Sequence, residues 1–181
     1  MSEDNPPAND GIVDVALAAV VWPWPGPAAG GGSEGGAGSG VAGSAAHDEP
    51  RVLITRRPAD RVYAGYWELP GGKCEAGETP AQCVVREVEE EVAIGVTPRR
   101  ALSVVEHVYE HAHVRLHPWL CEPTQPAMAR PVEAAALEWV APAGLVDYPF
   151  PEANGPILEE LIAWLSGQVP AGDPGGDKAR I

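Results

Sequence analysis

Residues 71–94 read GGKCEAGETPAQCVVREVEEEVAI, a glycine-rich turn that leads into a helical pattern. Thr79 opens a Thr-x-x-Gln capping box, and Pro80 suits the first position of a helix. The helix is predicted to run to about Val92, with Gly95 just beyond its end. This stretch therefore predicts a loop–helix–loop unit.

The predicted helix has two faces of different chemistry. One carries an apolar residue every four positions and can face a core, at Val84, Val88 and Val92. The other carries three carboxylates at spacings of three and four, Glu87, Glu90 and Glu91. Most glutamate-rich helix faces are simply solvated. Like charges at this spacing cost roughly 0.2–0.5 kcal/mol per pair, and Mg²⁺, which prefers carboxylate oxygens, would remove the repulsion.

Apolar runs outside this stretch predict a mixed sheet and a second helix. The predicted strands are Ile12–Trp22, Arg51–Arg57, Ala101–Val108, His113–Cys121 and Leu137–Val140, and the predicted amphipathic helix is Gly155–Leu165. The intervening stretches 58–70 and 123–131 are predicted to be loops. This order of elements predicts an α/β fold with a mixed β-sheet.

Composition divides the chain into one domain and three less ordered segments. Residues 1–10 and 167–181 are predicted to be disordered ends, and 11–166 a single domain. Residues 23–50 are rich in Gly, Ala, Ser and Pro, so they predict a flexible insert that cannot bury enough apolar surface to become ordered. Its expected role is that of a passive loop between two strands.

Charge and cysteine content exclude several classes of protein. The net charge of -14 and the pI of about 4.6 argue against a partner that is a nucleic acid polymer. Three loosely spaced cysteines argue against a disulfide framework or a zinc site. The sequence shows neither a signal peptide nor a run long enough to span a bilayer. We expect a cytoplasmic protein without membrane association, monomeric or dimeric.

The spacing of the glycine, glutamate and arginine residues resembles the Nudix box. The matching pattern is Gly72, five residues, Glu78, seven residues, Arg86-Glu87-Val88, one residue, Glu90-Glu91, then one residue, a small residue and Ile94. The match is far more specific than a lone glycine motif. The chain departs from the family at Ala93, where glycine is usual, and Gly95 could take over part of that role.

This resemblance implies a fold, a chemistry and a set of site residues. It implies a Nudix-type α/β/α sandwich whose loop–helix–loop motif hydrolyses a nucleoside diphosphate linked to another group, with Mg²⁺ or alternatively Mn²⁺ as cofactor. Glu90 and Glu91 would bind metal together with the Gly71 carbonyl. Glu87 would be a metal ligand or the base that activates water. The remaining two box residues would be structural organisers of the catalytic loop, Glu78 and Arg86.

Further runs of sequence are similar to MutT-type nucleoside triphosphate pyrophosphohydrolases within the family. These runs are Arg56-Arg57, Trp67 to Lys73 and Phe150 to Asn154. Arg57, at the end of the first run, and Lys73, at the end of the second, would contact the substrate. Glu133 stands where such proteins carry a further metal-binding carboxylate. Asn154 would hydrogen-bond the base, and Leu69 stands where some relatives place an aromatic residue beside it.

The resemblance predicts a housecleaning hydrolase of the nucleotide pool. The expected reaction converts a (deoxy)nucleoside triphosphate to monophosphate and pyrophosphate, with 8-oxo-dGTP as leading substrate and a cytidine nucleotide second. The alternatives are hydrolysis of a nucleotide sugar or dinucleoside polyphosphate, and a non-catalytic nucleotide-binding module. Asn154 could instead cap a helix, Arg57 could form a surface ion pair, and the histidines at 107–117 are interpreted as structural.

Overall fold

The computed structural model describes residues 11–25, 49–110 and 112–168, which form eight strands and two α-helices. The strands are β1 (Ile12–Trp22), β2 (Arg51–Arg56), β3 (Trp67–Glu68), β4 (Gly71–Lys73), β5 (Val96–Ala101), β6 (Val105–Tyr109), β7 (Ala112–Pro123) and β8 (Ala136–Val140). The helices are α1 (Pro80–Val92) and α2 (Gly155–Leu165), and short 3-10 turns lie at Pro126–Met128, Pro142–Asp147 and Glu152–Asn154.

The strands form one mixed sheet with β1 at its centre. Strand β1 runs parallel to β7, with Ile12 opposite His113 and Val20 opposite Cys121. It runs antiparallel to β2 and β4, and the sheet order is β3-β2-β1-β7-β5. Strand β6 pairs with β7, and β8 pairs with β2. The prediction of a mixed sheet is confirmed.

Helices cover both faces of this sheet, so the chain is an α/β/α sandwich as the resemblance implies. Alternate residues of β1 enter two separate cores because successive side chains of a strand point to opposite faces. Ala16, Ala18 and Val20 pack with the apolar stripe of α1. Leu17, Ala19 and Val21 pack instead with Ile157 and Leu161 of α2. Burial on both faces explains why β1 is a continuous apolar run rather than an alternating one.

The start of α1 follows the sequence prediction, and its end differs in one respect. The Gln82 N–H donates to the Thr79 hydroxyl, and the Thr79 N–H donates to the Gln82 side chain at 2.9 Å, which completes the capping box. Ala93 caps the other end in the left-handed region at φ 56°, with its N–H donating to the Glu89 carbonyl. The expectation that Gly95 could share this role was wrong, because the chain turns at Ala93 itself.

Three strands were missed, β3, β4 and β5, and one was placed incorrectly. The predicted strand Ala101–Val108 instead covers the last residue of β5, a short stretch outside any strand that begins at Leu102, and most of β6. Strand β5 reads VTPRRA, and its proline and arginines conceal it in the sequence. A proline is tolerated there because β5 lies at the edge of the sheet. The short strands β3 and β4 flank Leu69 and Pro70; β3 lies within the stretch predicted as loop, and β4 lies in the predicted glycine-rich turn.

The segments predicted to be disordered lie largely outside the described residues. This applies to 1–10, to most of the insert at 23–50, and to nearly all of 167–181. Within the part of the chain that the structure describes, no helix is long and apolar enough to cross a membrane.

Candidate active site

Two glycines hold the loop before α1 in close contact with its neighbours. A Cβ atom at Gly72 would lie 2.4 Å from the Glu87 carboxylate, and one at Gly71 would lie 2.1 Å from the Ala16 carbonyl oxygen. Any side chain at either position would therefore displace the carboxylate or the central strand. The glycines at 71 and 72 let β4 pass between β1 and the glutamate face of α1.

Arg86 connects the loop to the helix. Its Nε donates to Glu78 Oε1 at 3.0 Å, and its Nη2 donates to Glu78 Oε2 at 2.9 Å and to the Lys73 carbonyl at 3.1 Å. The two-pronged ion pair joins the two residues that the resemblance assigns as organisers of the catalytic loop. Hydrogen bonds from Arg86, and then from the Glu75 backbone, hold the pKa of Glu78 at about 2.

The same guanidinium reaches the acidic face of α1. Arg86 Nη1 donates to Glu87 Oε1 at 2.8 Å and to Glu90 Oε2 at 3.1 Å. Glu90 is 52% exposed and borders an open groove beside Trp119, on the outer side of the helix. Glu87 and Glu91 line a different cavity, so the three box glutamates are divided between two surfaces in this conformation.

Four carboxylates surround the cavity that Glu87 and Glu91 line, here called the acidic cavity. It has a volume of about 490 Å³ and is also bordered by Gly71 and Gly72. The four carboxylates are those of Glu68, Glu87, Glu91 and Glu133. Burial, followed by the charges of its acidic neighbours, raises the pKa of Glu91 to about 8, although the Gly71 N–H donates to it at 3.2 Å. Concentrated negative charge at a half-buried site favours the binding of a cation.

The neighbouring backbone places Glu133 beside α1. The N–H groups of Val132 and Glu133 both reach the Glu91 carbonyl, at 2.9 and 3.4 Å, so the loop before β8 is anchored where the helix ends. Among the described residues, no three His, Cys, Asp or Glu side chains already form a compact set around one point. Glu87 and Glu90 are instead paired with Arg86. The side chains of the two glutamates would have to rotate to bind the same ion.

A second cavity of about 430 Å³ continues from the acidic one. The two share residues from β1 and the surrounding loops, namely Val15, Leu17, Arg57, Arg61, Glu68 and Lys73. The second cavity also has a largely apolar wall, formed by Val13, Val15, Leu17, Val114 and Leu116. Tyr63, Tyr109 and Asn154 complete it. The result is one cleft with a carboxylate end, a cationic middle and an apolar end.

Asn154 is the polar group of the apolar end. Its side chain is only 6% exposed, and the Oδ1 atom is buried without a hydrogen-bond partner. Asn154 precedes α2, but its side chain makes no capping hydrogen bond there. The alternative role as a helix cap is therefore absent from this conformation. A buried amide oxygen with no partner costs free energy unless a ligand or water supplies a donor.

The two predicted cationic contacts lie between the ends of the cleft. Arg57 forms an ion pair with Glu68 and also donates from Nε to the Val62 carbonyl at 2.7 Å. Lys73 lines both cavities. The ion pair that was considered as an alternative for Arg57 is thus present, and it lies within the cleft rather than on a remote surface.

The predicted role of Leu69 as a substrate contact requires a correction. Leu69 is fully buried in the core on the α2 side of the sheet, and it is not among the residues that line the cleft. It lies between β3 and β4, where the chain packs into the sheet. Trp67 is likewise buried and packs edge-on against Tyr148 at a ring distance of 5.1 Å, which supports a packing role.

The described histidines pair with nearby side chains. His117 Nε2 lies 2.7 Å from Asp14 Oδ1, and His113 Nε2 lies 3.7 Å from Glu106. The His107 ring contacts Tyr109 at 4.4 Å. His111 lies outside the described residues. These contacts agree with the structural interpretation.

Four charged or aromatic lining residues escaped the sequence analysis, namely Arg61, Tyr63, Glu68 and Tyr109. Glu68 lies one residue before Leu69, and its pKa is raised by burial despite the neighbouring Arg57. Tyr109 alternates with the outward residue Val108 at the end of β6, a weak signal that could have revealed it. Arg61 and Tyr63 lie in a loop without periodicity, so only the tertiary structure identifies them.

Comparison with known proteins identifies relatives of this architecture. A family model described as a NUDIX domain matches residues 41–160. An 8-oxo-dGTP diphosphatase from Escherichia coli K12 is 39% identical over 119 residues, which cover 64% of this chain and 88% of the relative. A CTP pyrophosphohydrolase from the same organism is 33% identical over 113 residues, covering 62% and 83%.

The fold has close structural neighbours as well. The crystal structure of a MutT NUDIX hydrolase from Burkholderia pseudomallei superposes with a TM-score of 0.58 at 25% identity. The superposition covers 82% of this chain and 97% of that one.

Proposed function

The chain belongs to the Nudix family and is a hydrolase of phosphorus-containing anhydrides in nucleotides, and we propose that its substrate is a nucleoside triphosphate. The products would be the nucleoside monophosphate and pyrophosphate. The leading candidate is 8-oxo-dGTP, on which the 39% identical relative acts by its name. The corresponding role is sanitation of the nucleotide pool.

Asn154, whose buried amide oxygen has no hydrogen-bond partner, is the residue that carries this proposal. It lies in an apolar cavity that leads, past Arg57 and Lys73, to the carboxylates of α1. An amide offers a donor and an acceptor in one plane, which suits the edge of a nucleobase. A base at Asn154 would direct its phosphates along the cationic middle of the cleft towards the acidic end.

The acidic end fits a divalent cation. Half-buried carboxylates, one of them with its pKa raised to about 8, form a donor set that a hard cation such as Mg²⁺ prefers. Glu87, Glu91 and Glu133 would hold it, with the Gly71 carbonyl as a further candidate and Glu90 joining from the outer side of the helix. Such an ion neutralises phosphate charge and stabilises the charge that develops during transfer.

Side chains of the protein would bind the substrate, orient it and take up the proton. Arg57 and Lys73 are placed to bind phosphate oxygens, and Asn154 to orient the base. Glu87 lies at the interface between the Gly72 backbone and the cavity, so we propose it as ligand or as the base that takes a proton from the attacking water. Glu78 and Arg86 keep the loop and helix in register while this happens.

A cytidine nucleotide is the second candidate substrate. The 33% identical relative is a CTP pyrophosphohydrolase by name. Leu69 is withdrawn into the core and offers no surface to a large base. The amide of Asn154 can pair with a cytosine edge as well as with a purine edge, because both present a donor and an acceptor.

The test is a comparison of kcat/KM across nucleotides in the presence of Mg²⁺. The panel contains 8-oxo-dGTP, dGTP, CTP, dCTP, ADP-ribose and a dinucleoside tetraphosphate. We expect the highest value for 8-oxo-dGTP, with the cytidine nucleotides next. A preference for ADP-ribose or for the tetraphosphate would preserve the chemistry and overturn the proposed substrate class.

A further inference from the structure

The loop between β2 and β3 has a conformation that is fixed by hydrogen bonds. Three hydrogen bonds lie within the loop: Arg57 N–H to the Tyr66 carbonyl at 2.9 Å, Gly65 N–H to the Arg57 carbonyl at 3.2 Å, and Arg57 Nε to the Val62 carbonyl at 2.7 Å. A fourth joins the loop to the last residue of β2, from Arg56 Nε to the Gly65 carbonyl at 3.4 Å. The loop backbone is therefore held by its own hydrogen bonds and by one contact with β2.

Tyr63 occupies a strained backbone position in this loop. Its φ of 61° lies in the left-handed region, which bulky residues rarely adopt. Such a conformation costs on the order of one to a few kcal/mol and persists only where the surroundings enforce it. Here the Tyr66 N–H donates to the Tyr63 carbonyl at 3.0 Å and closes the turn.

The strain places the Tyr63 ring at the cleft. The ring packs against Tyr109 at a centroid distance of 5.8 Å and against Tyr66 at 5.5 Å. Tyr63 and Tyr109 both line the cavity that contains Asn154, whereas Tyr66 does not. Tyr63 is 37% exposed, so a large part of an aromatic surface remains available to a ligand.

We propose that Tyr63 is a base-binding residue that stacks on the base of the substrate. An apolar wall from β1 and β7 faces the same cavity, so a flat ring entering it would lie between aliphatic side chains and this aromatic loop. Stacking rewards ring area, and it is largely indifferent to the hydrogen-bonding edge. Tyr63 thus supplies the aromatic surface that the buried Leu69 does not, while Asn154 reads the edge.

This inference rests on the proposed function, and its test separates the two. Tyr63→Asn removes the ring, while asparagine tolerates the left-handed backbone better than most residues. Tyr63→Phe keeps the ring. The matched control is Tyr66→Asn, which removes an equally exposed ring of the same loop outside the cleft. Each protein is assayed with the preferred nucleoside triphosphate and with ribose 5-triphosphate, which lacks a base.

Tyr63→Asn should raise KM for the nucleotide on the order of 10-fold, with kcat within about twofold of wild type. KM for ribose 5-triphosphate should not change, and Tyr63→Phe should match wild type for both substrates. Tyr66→Asn should have the smaller effect. An equal rise in KM for both substrates, or no rise for either, would overturn the stacking role.

If the wild-type enzyme cleaves no triphosphate, the proposed function is wrong. The stacking role of Tyr63 can then still be tested by binding. Calorimetric titration with GMP and with ribose 5-phosphate makes the same comparison without turnover. The inference predicts that Tyr63→Asn weakens GMP binding on the order of 10-fold and leaves ribose 5-phosphate binding unchanged. Equal affinities of wild type and Tyr63→Asn for GMP would overturn it.

Discussion

Asn154 combines two properties that rarely occur together in one residue. Its side chain is almost fully buried, and its amide oxygen has no hydrogen-bond partner. Burial of an unpaired polar atom destabilises a fold, so its retention is most simply explained by a ligand that pairs with it. The same argument separates a recognition residue from a structural one, because removal of the amide affects binding and stability differently.

Asn154→Ala should lower kcat/KM roughly 10-fold for the preferred nucleotide, since the hydrogen bonds to the base are lost. The free energy of unfolding should change by less than about 1 kcal/mol, because no intramolecular hydrogen bond is broken. Steady-state kinetics and urea denaturation measure the two effects. A large loss of stability, or an equal loss of activity with ribose 5-triphosphate, would contradict the role in base recognition.

Glu91 is likewise predicted to contribute to activity rather than to stability. Its ionised carboxylate is disfavoured by burial and by three neighbouring glutamates, and a divalent cation would reverse that penalty. Glu91→Gln should therefore be at least as stable as wild type without metal, and it should lose activity by roughly 100-fold or more.

The measurement is the melting temperature with and without Mg²⁺. Wild type should be stabilised by the ion, because an ion that binds only the folded state raises its stability. Glu91→Gln should respond much less. Glu89→Gln, a neutralisation on an exposed position of the same helix, serves as the control and should keep the response. An equal Mg²⁺ response in wild type and Glu91→Gln would remove Glu91 from the metal site.

Helix α1 ends on a residue that is poorly suited to its backbone conformation. Ala93 takes φ 56°, where glycine has no steric penalty and alanine does. Ala93→Gly should raise the free energy of unfolding by about 1 kcal/mol, as measured by urea denaturation. The same substitution at Ala163, inside α2, should lower stability by a similar amount. A destabilising effect of Ala93→Gly would show that the left-handed cap is absent.

The loop–helix connection has a pH dependence that follows from Glu78. Its pKa is lowered from 4.5 to about 2 by Arg86. A carboxyl whose pKa is lower in the folded state stabilises the fold above its unfolded pKa, and that contribution disappears as the pH falls towards the folded value. Glu78→Gln should thus cost stability at neutral pH, and the difference from wild type should shrink between about pH 4.5 and 2.

Denaturation series at several pH values test this expectation. Glu75→Gln makes the same charge change on an exposed side chain of the same loop and should show little of the effect. A difference between wild type and Glu78→Gln that stays constant from pH 7 to pH 3 would contradict the ion-pair account.

The elements could be predicted from sequence where one local signal dominates. The capping box and the valine stripe locate α1, and the continuous apolar run locates β1. Strand β5 could not be predicted because its stability comes from pairing with β7, a tertiary contact that overrides its proline and arginines. The resemblance gave Glu78 and Arg86 as organisers of the catalytic loop, and the structure joins them in an ion pair.

The cleft as a whole could be predicted only in part. Residues 71–94 and the asparagine before α2 identified both of its ends, because each follows a sequence pattern. Tyr63 and Arg61 enter the cleft through a loop held by backbone hydrogen bonds, for which the sequence carries no periodic signal. Leu69 was assigned by position in a motif, and packing against the α2 side of the sheet takes it out of the cleft.

The charge of the whole molecule is consistent with a small anionic ligand rather than a polymer. A net charge of -14 repels an extended phosphate backbone over distances of about a Debye length. Within the cleft, however, Arg57, Arg61 and Lys73 form a local cationic region between the apolar and acidic ends. A ligand with one or a few phosphates could bind there, whereas the net charge of the chain disfavours an extended phosphate backbone.

We propose that this cleft splits a nucleoside triphosphate into monophosphate and pyrophosphate. Phosphorus NMR of 8-oxo-dGTP incubated with wild-type protein and Mg²⁺ tests it most directly, because each product has its own resonance. We expect equal amounts of nucleoside monophosphate and pyrophosphate, and no reaction when the ion is chelated. Appearance of orthophosphate with a nucleoside diphosphate, or persistence of the intact triphosphate, would contradict it.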